Sequence, residues 1–450
     1  MAETVYGGSY DVIVAGGGPG GLPAAIAAAR AGMKTLLLEQ HAMLGGLTVS
    51  SMPLLGYVDR SGRLVLGGIP NEIVTRLQEK KASRGHVTDP TSASLTLINA
   101  NWMRILACEM CDEAGVDTRL YSRLTDVKVE NGRVVGVTAC QIEQHVYYDT
   151  KILIDGTGNG TAMHFAGANY ERNQILMPGS LEFAVGNVDI DAFLRFLEEN
   201  PEDAKLPDTY TVTQGMEQMY NRNGFGVTGL MKSIETARAN GEYIIPRDCA
   251  VLVTTNEKDE VHCNTTRVIN VDPTDTLSVT RAEFEAHKQV ECLMHFLRKY
   301  IGGFANCTLN YIAPFFGIRE TRRIKGLKQL NGDDVMNCRV AEDSIALAGY
   351  NFDVHVPGKE STVITPVEKA VGIPYGCLVS ENIDGLLVSG RCIAATDEAY
   401  GLTRVMGTCM GVGEAAGTAA ALCIKKGIQP RELCPQELRA ELRKNGAIVD

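Results

Sequence analysis

The stretch "GIRETRRIKG" packs Arg319, Glu320, Thr321, Arg322 and Arg323 into a chain whose formal net charge is -11. An arginine fork donates two parallel hydrogen bonds to a carboxylate or an enolate-like oxygen, which makes Arg319 and Arg322 candidate ligands for a substrate oxygen. The competing reading is an internal salt-bridge network. On a strand, Arg319, Thr321 and Arg323 would share one face and Glu320 and Arg322 the other. Downstream, "GYNFDVHVPG" offers Asp353 and His355 on one face of an extended segment. Histidine beside a reacting carbon can remove or return a hydroxyl or amine proton, so His355 is the candidate acid/base, with a satisfied core histidine as the alternative. Tyr375, in "IPYGCL", is a weaker proton donor.

These groups need a scaffold and an electron carrier. The stretch "DVIVAGGGPGGLPAAIAAARAGMKTLLLEQ", residues 11–40, reads as a buried strand, a glycine turn, an alanine-rich helix closing at Gly32, and a second strand. Gly16, Gly18 and Gly21 supply G-x-G-x-x-G: a tight turn, close approach of a pyrophosphate to the backbone, and close helix–strand packing. Glu39 stands at the second strand's end, where a carboxylate accepts from ribose hydroxyls. Strand, fingerprint, helix, strand and acid in this order point to an adenine dinucleotide, either FAD or NAD. Gly45 and Gly46 then open a second turn in "HAMLGGLTVSS", consistent with backbone following an extended cofactor toward its reactive ring; a plain polar loop is the alternative.

The remaining motifs are "LGGLTVSSMPLLGY", "NGRVVGV", "KILIDGTGNGTAMHFAGA", "PFFGIRETRRIKG", "YNFDVHVPG" and "IPYGCLVSENIDGLLVSGRCIAATDEAYGLTRVMGTCMGVGEAAGTAAALC". Together with the fingerprint, they resemble the FAD-dependent oxidoreductases distantly related to fumarate reductase flavoproteins, which share the glutathione-reductase-type FAD fold. The resemblance implies noncovalent FAD in an α/β, Rossmann-like domain with a parallel sheet, assembled from residues 1–175 and 365–450. An inserted α+β substrate domain would occupy 176–364. It also implies cofactor contacts at Pro19, Gln40, Leu47, Thr48, Val127, Gly156, Gly158, Arg391, Gly407 and Thr408, the last two at a helix start facing the flavin's pyrimidine edge. His41 lies near the position where some fumarate-reductase relatives attach flavin covalently.

Local patterns agree. Asn131-Gly132 signals a hairpin. "GVGEAAG" has G-x-G-x-x-x-G spacing inside a helix, so it reads as helix packing and not as a second nucleotide site. "DAFLRFLEEN" and "RAEFEAHKQVECLMHFLRKYIGG" read as helices, "DTYTVTQ" and "DCAVLVTTN" as strands, and "NPEDAKLPD" as a surface loop.

The 450 residues, 45% hydrophobic with 47 glycines, suffice for a large core. Net negative charge argues against general attraction to nucleic acid or anionic lipid. No apolar run reaches the roughly 20 residues of a membrane span, and no apolar leader precedes the first strand near Tyr10, so a cytoplasmic protein is expected. The 13 cysteines include Cys108 and Cys111 as C-x-x-C inside an amphipathic helix, which favours a structural role. Neither an iron–sulfur nor a zinc pattern stands out. The reading that results is a flavin dehydrogenase or oxidase acting on a small polar oxygen- or nitrogen-bearing metabolite. A reductase of an activated C=C bond and a flavin electron-transfer subunit are the alternatives. Electron acceptor and homo-oligomerisation stay open.

Overall fold

The computed structural model describes residues 4–210, 224–355 and 362–450. Its main sheet contains β1 (Val5–Ala15), β2 (Thr35–Leu38), β3 (Asp117–Arg119), β4 (Ser122–Glu130), β5 (Arg133–Gln141) and β6 (Gln144–Asp155), in the spatial order β3-β2-β1-β6-β5-β4. β1, β2, β3 and β6 are parallel, whereas β4 and β5 return as an antiparallel hairpin. Val12–Ala15 and all of β2 are buried, as an apolar run in a covered parallel sheet must be. Asn131 and Gly132 both take positive φ, the geometry that lets a two-residue turn follow the strand twist. β1 starts at Val5, earlier than the expected Tyr10, because the long β6 offers Val146 and Tyr147 as partners for Val5 and Tyr6.

Helix α1 (Gly21–Arg30) follows β1; α2 (Gly68–Glu79) and α3 (Ala100–Ala114) complete the N-terminal part. Cys108 is exposed and Cys111 buried on α3, and burial raises the Cys111 thiol to about 12, far from a reactive thiolate.

A second antiparallel sheet holds β7 (Phe183–Gly186), β8 (Gly226–Gly229), β9 (Ala250–Thr254), β10 (Val261–Cys263) and β11 (Thr308–Ile312), ordered β8-β9-β10-β7-β11. It shares a separate core with α4 (Thr276–Tyr300), running from Leu181 to Phe316. Ile324, Leu330, Val335 and Ile345–Ala348 belong instead to the main core. The chain therefore rejoins the first domain near residue 323, not 365, because short strands there pair with residues 170–171 and 371–374. "NPEDAKLPD" contains a helical turn, Pro201–Ala204, held by buried Asp203 accepting from Ser233. Most of "DTYTVTQ" lies outside the described residues.

The hairpin β12 (Phe352–His355) and β13 (Thr362–Thr365) precedes β14 (Leu386–Val388), which joins β6 in parallel, and then α5 (Met406–Lys426), capped by left-handed Gly427. The α5 glycines do pack helices. A Cβ on Gly413 would stand 2.1 Å from the Gly20 oxygen, and one on Gly417 2.1 Å from the Ala24 oxygen. Among the described residues, α5 has the length and apolarity of a membrane span, and 89% of its apolar window is buried inside the protein.

Candidate active site

The glycine loops that open the chain are knitted to one another. Gly16, at φ +93°, makes the turn after β1, and a Cβ on Gly21 would collide with the Gly16 oxygen at 1.7 Å. The Gly17 amide donates to Glu39 Oε2 at 2.7 Å, and the Gly45 amide donates to the Gly17 oxygen at 2.8 Å. Gly46 lies against Gly18, where its own Cβ would come within 2.7 Å of the Gly18 Cα and 3.2 Å of Pro19. Leu47 and Thr48 continue in a short 3-10 turn; Gln40 is exposed beside buried Glu39. Gly156 meets α1 through Gly21, and the carboxylate of buried Asp155 holds the turn by accepting from Thr157 and from the Met163 amide. Val127 is buried in β4, paired with Val137, five residues beyond the Ser122 amide that bonds the Glu39 oxygen.

Asn159, which carried no sequence signal of its own, is a hub. Its side-chain oxygen accepts from Arg391 at 2.7 Å and Thr321 at 2.9 Å, and its carbonyl accepts from Arg322 at 3.1 Å. Arg391 Nε and Thr408 Oγ1 are buried without a hydrogen-bond partner among the described residues. α5 opens with no side-chain cap, so the amides of Met406, Gly407 and Thr408 in its first turn lack intrahelical acceptors. Buried donors left open beside a phosphate-type glycine loop fit FAD. The two loops and Glu39 would hold its adenosine and pyrophosphate portions, and the α5 start its ring.

Against the same two segments lies a cavity of about 140 Å³, bordered by Leu47 on one side and by Val405 and Met406 on the other. Leu55 and Leu95, from the antiparallel patch of residues 54–55, 83–89 and 93–98, line it and cluster with Leu97, Val253, Tyr350 and Val405. Its floor is the face of the second sheet that carries Thr228, Val251, Val253 and His262.

Three guanidiniums, Arg247, Arg319 and Arg404, reach this cavity against the carboxylates of Glu182 and Asp353. Arg404 pairs with Asp353 at 2.9 Å. Arg319 donates to the Pro178 carbonyl at 2.7 Å and the Ser180 hydroxyl at 2.9 Å, and Arg247 to the Asn264 carbonyl at 2.6 Å. Burial first, then the charges of Arg404 and Arg247, pull the Arg319 guanidinium down to about 9. It is therefore still cationic at neutral pH, with its charge under-compensated.

The arginine cluster does not form the strand the alternation argument assumed; only Arg323–Ile324 is extended in a ladder. Its side chains fan out instead. Arg319 enters the cavity, while Arg322 stacks on Tyr170 at 5.3 Å beside Asn159 and is absent from the cavity wall. Arg323 pairs with Asp397 at 2.5 Å, and Glu320 ties the segment down by accepting from the Met177 amide. Tyr375 is also elsewhere: its hydroxyl donates to the Pro430 carbonyl in the main core. The backbone of His355 pairs with Thr362, a cavity residue; the His355 side chain lies outside the described residues. Arg404, Arg247, Glu182 and His262 were not singled out beforehand, because each stands alone in its own segment.

Comparisons with known proteins supply relatives and a family. Digeranylgeranylglycerophospholipid reductase 1 of Methanococcoides burtonii is 26% identical over 197 residues, 40% of this chain and 46% of that protein. The digeranylgeranylglycerophospholipid reductase of Methanocella arvoryzae is 27% identical over 161 residues, covering 33% and 39%. The chain thus matches less than half the length of these curated relatives. A geranylgeranyl bacteriochlorophyll reductase-like protein from Thermoplasma acidophilum superposes with a TM-score of 0.49 at 14% identity, over 98% of this chain and 85% of that one. The family model described as FAD dependent oxidoreductase matches residues 11–442, and the chain belongs to that family.

Proposed function

We propose that this flavoenzyme exchanges hydride with a carbon of a small metabolite bearing a carboxylate or similar oxyanion, the dehydrogenase or oxidase direction being favoured. The observation that carries the reading is the guanidinium surplus in the cavity beside the cofactor segments. FAD, when bound, supplies the two-electron acceptor and donor.

The protein's own groups do the rest. Arg319 and Arg247 bind the oxyanion, each having a charge that no carboxylate among the described residues answers directly. Asp353 fixes Arg404 in place. Leu47, Leu55, Val405 and Met406 keep water from the reacting carbon. The substrate's hydroxyl or amine proton passes to a histidine at this cavity, where His262 lines the wall and the His355 backbone pairs with the cavity residue Thr362.

The test is anaerobic. FAD-loaded protein is mixed with a panel of 2-hydroxy acids, amino acids and amines, and bleaching of the flavin absorbance is followed. Bleaching by acids and by none of the uncharged analogues supports the reading; bleaching by uncharged alcohols or amines alone overturns the anionic substrate. A second reading, reduction of an activated C=C bond, draws support from the reductase names of the curated relatives. Reoxidation of prereduced protein by enoates, with no bleaching by any acid or amine, would select it.

A further inference from the structure

Glu182 and His262 sit on the cavity wall, 80 residues apart in sequence and brought together by strand register. His262 on β10 is paired across the sheet with Ala184 of β7, two residues beyond Glu182, so both side chains leave the same face. His262 Nε2 lies 2.9 Å from Glu182 Oε2, off the line of an ideal hydrogen bond. The residues are 1% and 4% exposed, and His262 Nδ1 has no hydrogen-bond partner among the described residues. A buried imidazole with one side against a carboxylate and the other without a protein partner, in a cavity, is placed to move a proton to or from whatever enters.

We propose that Glu182 and His262 are the proton-exchange pair of this cavity, His262 taking or giving the ligand's proton and Glu182 positioning the ring. The proposal rests on the reading of the cavity as the oxyanion site. In the oxidative direction the substrate's C–H hydrogen leaves with its electron pair for the FAD of the family. The O–H or N–H proton passes to the imidazole, and C=O or C=N forms. In the reductive direction the imidazolium returns that proton. Among the described residues the other titratable groups lining the cavity are Arg247 before β9, Arg319 after β11, Arg404 before α5, Asp353 on β12, and the phenols of Tyr210 and Tyr350, both pushed up by burial. Of these the carboxylate of Asp353 is engaged by Arg404, and guanidiniums do not exchange protons near neutral pH.

Oxalate titrated calorimetrically into FAD-loaded protein, in two buffers of different ionisation enthalpy, counts protons exchanged on binding without turnover. Wild type is expected to bind oxalate with a buffer-dependent heat. His262→Gln should bind it with that dependence gone, and Glu182→Gln, which keeps the side-chain shape, with the dependence reduced. Retained FAD absorbance in each variant certifies the fold. An unchanged proton count in both variants, or a wild type that binds without proton exchange, overturns the pair and leaves the anion site standing. Failure of wild type to bind oxalate at all removes the anion site, and the pair with it.

Discussion

At the scale of single residues, Arg319 is the side chain whose loss should be most specific. Its guanidinium donates to three oxygens outside the cofactor loops, those of Pro178, Ser180 and Asn264. Arg319→Ala is expected to weaken oxyanion binding about 10- to 100-fold, the worth of a charge-assisted contact, with flavin content unchanged. Calorimetry with oxalate checks the first, the visible spectrum the second. With His262 as the exchanging base, His355→Ala should leave single-turnover flavin bleaching by the true substrate close to the wild-type rate across pH; a loss of about 100-fold or more, the usual worth of general base catalysis, would return the role to His355. Arg319 was legible because arginines rarely cluster in so acidic a chain. Arg322 was misplaced by the same clue, since the period-two rule assigns faces only inside a ladder, and this segment forms one only at Arg323–Ile324. Glu182 and His262 carried no local signal; only the β7–β10 register brings them together.

At the scale of elements, the seam between α1 and α5 leaves no room for an added side-chain carbon at Gly413 or Gly417. Gly417→Ala would force a methyl against the Ala24 oxygen, and overpacking of this kind costs about 1–3 kcal/mol. A lowered melting temperature and weaker FAD retention are the expected readouts. Beside that seam, Glu414 on α5 is 2% exposed and accepts from the Ile69 amide at the start of α2. Burial pushes its carboxyl up to about 8. Between roughly pH 4.5 and 8 the unfolded chain is ionised there while the folded one keeps its proton. Stability contributed at lower pH is therefore lost at about 1.4 kcal/mol per unit over that window, levelling above it. Denaturation of Glu414→Gln at pH 5 and pH 8 should show that this part of the slope is gone. The seam was legible from glycine spacing, because only bare Cα atoms let backbones meet. Glu414 was not, since a helical glutamate is ordinarily solvated.

At the scale of the whole molecule, two cores divide the labour: one carries the cofactor loops, the other the cavity floor. The α/β character was legible from the order of motifs. The point where the chain rejoins the first core was not, because Arg323–Ile324 and Ser344–Ala348 are too short to announce their partners. Denaturing the holoprotein should release flavin bands into the supernatant. Bands that stayed with the polypeptide would indicate a covalent bond, with exposed His41, stacked on Phe315 at 5.2 Å, the residue to sequence first.

The seam also orders events in time. The glycine fingerprint, Gly16 to Gly21, is made long before the strand that completes β6 on its edge, Leu386–Val388, and the helix that braces it, Met406–Lys426. A nascent chain therefore has its phosphate loop long before it has a place to keep a flavin. Cofactor capture is expected to wait for residues 386–426, and a chain cut before residue 386 should be made in full view of FAD without ever retaining it.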